Sequence, residues 1–152
     1  MRIDSLSLTD FRNYAQQTLM FDPKSNVICG ENAQGKTNLL EAIVCLSMGR
    51  SPRTRSDREL VRFDAERFVI EGGIRSRDRD FVSRIEAGTG RKKKITINKV
   101  PAKNASELSG VLNTVFFSPE DLYLIREGAA ARRRFISFAT SSVITKYSEC
   151  IR

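Results

Sequence analysis

Eight consecutive residues, Gly30-Glu31-Asn32-Ala33-Gln34-Gly35-Lys36-Thr37, combine the residue types needed to hold a polyphosphate. Gly30 and Gly35 allow backbone angles that a side chain would forbid. A loop built on them can turn its N–H groups inward around a phosphate. A helix starting at Lys36 would aim its positive end at the same phosphate. The Lys36 ammonium would reach the β- and γ-phosphates, and the Thr37 hydroxyl would ligate Mg²⁺. The segment fits G-x-x-x-x-G-K-[ST] at each fixed position, the pattern of a P-loop for nucleoside triphosphates. The alternative is an ordinary strand-turn-helix corner.

The mechanism needs a buried strand before the loop and an amphipathic helix after it. Asn26-Val27-Ile28-Cys29 reads as a short buried strand, and 36–48 as a helix. Leu39, Leu40, Ile43 and Leu46 fall on one face of that helix at spacings of three and four. Gly49 suits its C-terminal stop. Upstream, 2–8 reads as a strand whose buried face the alternation leaves open, 9–14 as a turn, and 17–21 as a second short strand. Downstream, 57–63 reads as a short helix. Segments 67–74, 80–86 and 94–97 read as strands of a small antiparallel sheet, with Asn98-Lys99 turning a hairpin that ends at Val100. A short helix over 105–112 and a buried strand over 114–117 follow. Ser118-Pro119-Glu120-Asp121 opens a helix by its capping chemistry, and a last helix runs from about Ala129.

Hydrolysis usually requires an acid at the end of a second buried strand. Val61-Arg62-Phe63-Asp64 is interrupted by an arginine, and Glu120 and Asp121 lack a long apolar run just before them. The chain has no histidine, which excludes His-based nucleophilic triads and disfavours a zinc hydrolase. Cys29, Cys45 and Cys150 are too scattered for a zinc site or a disulfide framework, and Cys29 and Cys45 read as reduced core residues. No stretch approaches the roughly 20 apolar residues of a membrane span. With no apolar run at the N-terminus, a cytoplasmic location is expected.

The blocks Asp10-Phe11-Arg12-Asn13-Tyr14, Gly30 to Thr37 with Asn38-Leu39-Leu40-Glu41-Ala42-Ile43, Gly49-Arg50-Ser51 with Arg53-Thr54, Phe117-Ser118-Pro119-Glu120-Asp121-Leu122 and Arg132-Arg133-Arg134-Phe135 together resemble the RecF family along nearly the whole chain. The resemblance implies an α/β fold: a P-loop NTPase of ABC-ATPase head type (lobe I) with a small antiparallel sheet, similar to SMC heads. It implies ATP and Mg²⁺ as ligands, and binding to DNA, both duplex and gap junctions. It also implies an ATP-dependent homodimer of the full protein and slow DNA-stimulated hydrolysis. RecO and RecR are the implied partners in loading RecA at single-strand gaps, in repair, replication restart and the SOS response. Carried over by position, 30–37 is the ATP site and Arg12 stands near the phosphates; a surface-turn role is the alternative for Arg12. Glu120 lies in the segment similar to the Q-loop and is a weak catalytic candidate, or simply a helix N-terminal acid. Pro52 departs from the family pattern. The family's signature motif and second acid lie further along, so residues 1–152 are expected to be the N-terminal part of a head domain. The expected behaviour of the chain alone is binding without turnover.

The net charge of +8 suggests a polyanionic partner. Three clusters could meet DNA: Arg50, Arg53 and Arg55; Arg91 with Lys92, Lys93 and Lys94; and Arg132, Arg133 and Arg134. Each could equally be a solvated face. Little aromatic character is interleaved, so contacts to duplex backbone are expected rather than base stacking. A competing reading is a small-molecule kinase, with 50–58 as an arginine-rich lid.

Overall fold

The computed structural model describes residues 1–76, 79–118, 133 and 136. The chain divides into two compact units, Met1–Leu112 and Asn113–Arg152. In the first, segments with alternating apolar and polar side chains pair into one antiparallel sheet. Its strands are β1 (Arg2–Phe11), β2 (Tyr14–Met20), β3 (Arg67–Ser76), β4 (Arg79–Gly88), β5 (Arg91–Ile97) and β6 (Val100–Pro101), in the order β2-β1-β3-β4-β5-β6. One face is apolar. Leu6 and Leu8 of β1, Phe68, Ile70 and Ile74 of β3, and Ile85 of β4 pack with Leu39, Ala42, Cys45 and Leu46 of helix α1 (Lys36–Met48). The other face is polar, with Glu71–Arg84 and Arg75–Asp80 ion pairs across neighbouring strands. Such period-2 alternation is how a sheet faces a core on one side and water on the other.

The helix sits close to the sheet because Gly72 has no side chain. A Cβ there would lie 2.5 Å from Leu46 Cδ1. Full burial of a leucine such as Leu46 contributes about 1.5–3 kcal/mol. The first hairpin is tighter than expected. Strand β1 continues to Phe11, and only Arg12 and Asn13 form its turn. The chain turns at Asp10 (φ 48°), so Phe11 rather than an even-numbered neighbour enters the core, edge-on to Phe68 at 5.6 Å. Bonds from Arg12 N to Leu60 O and from Arg62 N to Asp10 O fasten this tip to a short 3₁₀ turn at Asp57–Leu60. The hairpin at Asn98-Lys99 forms as expected, with positive φ at both residues. A second 3₁₀ turn, Ala105–Gly110, is capped by the Asn104 side chain.

Three expectations need correction. Residues 26–29 form no strand, and Val27 and Cys29 are exposed rather than in the core. Residues 114–117 likewise form no strand, and Val115 and Phe117 are exposed. An apolar run becomes a strand only when a neighbour accepts its hydrogen bonds, and none among the described residues does so. Finally, the buried side of α1 carries Leu39, Ala42, Cys45 and Leu46 together with Glu41 and Val44, whereas Leu40 is exposed. The helices expected after Ser118 lie largely outside the described residues.

The two described cysteines should therefore behave oppositely. Burial, aided by the charge of Glu41, pushes the Cys45 thiol up to about 12. In a Cys150→Ser background, a thiol reagent should label Cys29 in the native protein and Cys45 only after unfolding, read by peptide mass. Equal native labelling would contradict the packing of α1 on the sheet.

Candidate phosphate-binding site

The loop 30–35 runs directly into α1, whose N-cap is Gly35 in the left-handed region (φ 99°). No side chain caps the helix, and no acid occupies its first turn. Its leading N–H groups and positive end thus meet no competing carboxylate from that turn, the condition for anion binding at a helix terminus. Gly30 (φ 153°) and Ala33 (φ 65°) complete the curl. Ala33 has a conformation costly for a residue with a Cβ, and such strain persists only where the surroundings hold it.

The hairpin tip provides that hold. Asn13 Nδ2 donates to Gln34 O at 3.1 Å, and Tyr14 donates its hydroxyl hydrogen to Gly35 O at 3.2 Å. Asn13 lies so close that a Cβ on Gly35 would fall 2.5 Å from its amide, a second reason for glycine there. Asn38 Nδ2 donates to Asn13 Oδ1 at 2.9 Å, joining the tip to the helix. Lys36 Nζ bridges Gly30 O at 2.7 Å and Glu31 O at 2.6 Å, so its ammonium lies across the mouth of the loop. A cavity of about 260 Å³ is lined by Asn32, Ala33, Gly35, Lys36, Thr37, Asn38 and Arg53. That is below the roughly 300–1,000 Å³ of whole-ligand pockets. It suits a polyphosphate tail. The uncapped helix start, the ammonium and the hydroxyl fit such a tail, and Thr37, which is exposed, could offer its oxygen to a divalent cation.

Beneath the cavity, Glu41 is fully buried (0% exposed) yet ionised. Burial alone would raise its pKa. Hydrogen bonds from Arg12 and Ser51, with the charges of Arg12 and Arg53, outweigh that and hold it below the usual carboxylate value. Arg12 Nη2 and Nε donate to Glu41 at 2.8 and 3.0 Å, and Arg12 Nη1 donates to Glu59 O at 2.8 Å. Arg12 was expected beside the phosphates. All three of its nitrogens have partners within the chain, and it is not among the residues lining this cavity.

The basic clusters separate. Arg53, expected to meet DNA, lines the cavity. Arg50 and Arg55 are exposed. Strand alternation turns Lys93 inward, where its ammonium meets Asp57 at 2.7 Å and Gly49 O at 2.8 Å, while Arg91, Lys92 and Lys94 stay exposed. Arg133 is exposed; Arg132, Arg134 and Glu120 lie outside the described residues. Asn13, Tyr14, Asn38 and Glu41 were not singled out from the sequence. The available signal for Glu41 was its position four residues before Cys45, on the buried side of the helix.

The sign of the Glu41 shift fixes a pH response. Its folded pKa lies below its unfolded one, so its contribution is present above the unfolded value and lost as pH falls through the folded value. Denaturant unfolding between about pH 6 and pH 3 should show wild type losing more stability than Glu41→Gln. Glu41→Leu should cost about 3 kcal/mol at neutral pH, because Arg12 is left part-buried without its partner. Parallel pH profiles for wild type and Glu41→Gln would contradict the assignment.

An AAA-domain family model matches residues 5–138. The DNA replication and repair protein RecF of Clostridioides difficile (strain 630) is 47% identical over 148 residues, 97% of this chain and 39% of that protein. RecF of Bacillus subtilis (strain 168) is 42% identical over 147 residues, 97% and 40% of the two chains. The chain thus spans about two fifths of the length of the curated relatives it matches. Among solved structures, the recombination mediator protein RecF-ATP of the RecFOR pathway superposes with a TM-score of 0.90 at 40% identity, covering 95% of this chain and 39% of that one. A structure from work on ATP-driven dimerization of SMC ATPases, 20% identical, shares the fold with a TM-score of 0.69, over 88% of this chain and 96% of that one. The model match and these likenesses agree with the P-loop geometry: the chain belongs to the AAA-domain family, has the ATPase-head fold common to RecF and SMC proteins, and is similar within that family to the N-terminal part of RecF.

Proposed function

We propose that the chain is the ATP-binding part of a RecF-type DNA repair protein, holding the triphosphate of Mg-ATP in the loop 30–37. One observation carries this reading. The loop, the uncapped start of α1 and the Lys36 ammonium converge on a single cavity of polyphosphate size. When bound, Mg²⁺ would shield the charge of the phosphates, with Thr37 as its protein ligand. The backbone amides of 31–36 would bind and orient the phosphate chain. Lys36 would exchange the carbonyls of Gly30 and Glu31 for phosphate oxygens. RecF proteins at 40% identity or more, and a RecF-ATP structure, support the choice of ATP over other triphosphates.

The same likeness supports a role in recombinational repair and replication restart. In that role the whole protein would bind duplex DNA at gaps, dimerise with ATP and act with RecO and RecR. Among the described residues no acid lines the cavity, so these residues alone would bind ATP with little hydrolysis. For DNA, the exposed Lys92 and Lys94 on β5, with Arg55, are the better candidates among the described residues; Lys93 is tied to Asp57 and Arg53 lines the phosphate cavity. Contacts of this type release counterions and weaken with salt.

Lys36→Met should abolish binding of fluorescent ATP in the presence of Mg²⁺ while leaving the thermal midpoint near wild type. Equal binding by both proteins would refute the site. Lys92→Ala with Lys94→Ala should weaken duplex binding and reduce the slope of log affinity against log salt by about 2. Lys93→Ala should instead lower stability. A salt slope unchanged in the double variant would remove β5 from the DNA surface.

A further inference from the structure

Glu41 touches no part of the cavity, yet it governs one cation that does. Its Oε1 accepts from Arg12 Nη2 at 2.8 Å and from Ser51 Oγ at 2.5 Å; its Oε2 accepts from Arg12 Nε at 3.0 Å and Arg53 Nη1 at 3.2 Å. The two arginines differ in kind. Arg12 is four-fifths buried and held through all three nitrogens. Arg53 is 41% exposed and anchored by Nη1 alone, which it shares between Glu41 and Asn38 Oδ1 at 3.0 Å. Its Nε and Nη2 have no partner among the described residues. Arg53 is also the one cavity-lining residue outside the loop-helix segment 32–38.

The loop that carries Arg53 depends on the same carboxylate. Ser51 Oγ accepts from Arg53 N at 2.9 Å and Thr54 N at 3.1 Å while donating to Glu41. Glu41 therefore sets both the backbone shape of 51–54 and the edge by which the guanidinium is held. We infer that Glu41 is a positioning residue for the nucleotide site: it presents Arg53, through a shared anchor with Asn38, to the end of the polyphosphate and so favours a triphosphate over a diphosphate.

The chemistry supports the selectivity. The loop and the start of α1 line the cavity from one segment. Arg53 lines it from another, so it adds a cation that the loop and helix do not supply, and an added terminal phosphate would bring the negative charge to meet it. A guanidinium held by one edge keeps its remaining N–H groups for a phosphate, with little reorganisation. Without Glu41, Arg53 would lose its anchor and its loop would lose the Ser51 knot.

This inference rests on the ATP reading, and a double-mutant cycle tests it apart from that reading. Fluorescent ATP and ADP are titrated, with Mg²⁺, against the full chain as wild type, Glu41→Gln, Arg53→Ala and the double variant. Arg53→Ala should weaken ATP about tenfold relative to ADP, the size expected for a lost charge-assisted bond. Glu41→Gln should shift the ATP-to-ADP ratio the same way and add nothing once Arg53 is alanine. Asn38→Ala leaves the buried carboxylate intact, so it remains informative if Glu41→Gln fails to fold, and it should reproduce part of the shift. Multiplicative effects in the cycle would overturn the role of Glu41, and an unchanged ratio in Asn38→Ala would overturn the shared anchor, while nucleotide binding stands. Failure of the wild type to bind either nucleotide would overturn the nucleotide reading itself, and this role with it.

Discussion

A charge placed out of water must be surrounded by donors or it unfolds the structure around it, and the carboxylate of Glu41 is such a charge. Its four hydrogen bonds come from two places far apart in sequence: Arg12 at the tip of the first hairpin, and Ser51 and Arg53 in the loop after α1. Neither segment satisfies it alone. The helix, the hairpin tip and the basic loop must therefore assemble together, and the cavity above them is a consequence of that assembly.

The phosphate cradle draws on the same arrangement. A strained loop with Ala33 and Gly35 in the left-handed region would not hold its shape unaided. The sheet supplies a rigid floor, and the tip of the β1–β2 hairpin brings Arg12, Asn13 and Tyr14 to the loop and helix. One of these residues ties to the buried carboxylate; the other two tie to loop carbonyls. The geometry that receives phosphate is thus held from beneath by side chains that need never touch the ligand.

Charge on the chain is divided by strand alternation and by burial, not by sequence clustering. Lys92, Lys93 and Lys94 are neighbours in sequence, but the middle one is drawn inward to Asp57. Arg53 and Arg55 sit two apart, yet only the first lines the cavity. Runs of like charge therefore mix structural ties, ligand-facing groups and surface cations within a few residues.

Much was legible from residue types alone. The loop and its helix were readable because glycine, lysine and threonine at fixed spacing act through local backbone geometry. The hairpin at Asn98-Lys99 was readable because two adjacent positive φ angles demand turn-forming residues. The family was readable because several blocks kept their order and spacing. The runs 26–29 and 114–117 were misread as strands because strand identity depends on a hydrogen-bonding neighbour, which apolar character does not supply. Likewise, nothing local marks Arg12 as a tie to Glu41, or Glu41 as buried. Those roles follow from which distant segments meet, and long-range packing against a desolvated carboxylate decides them.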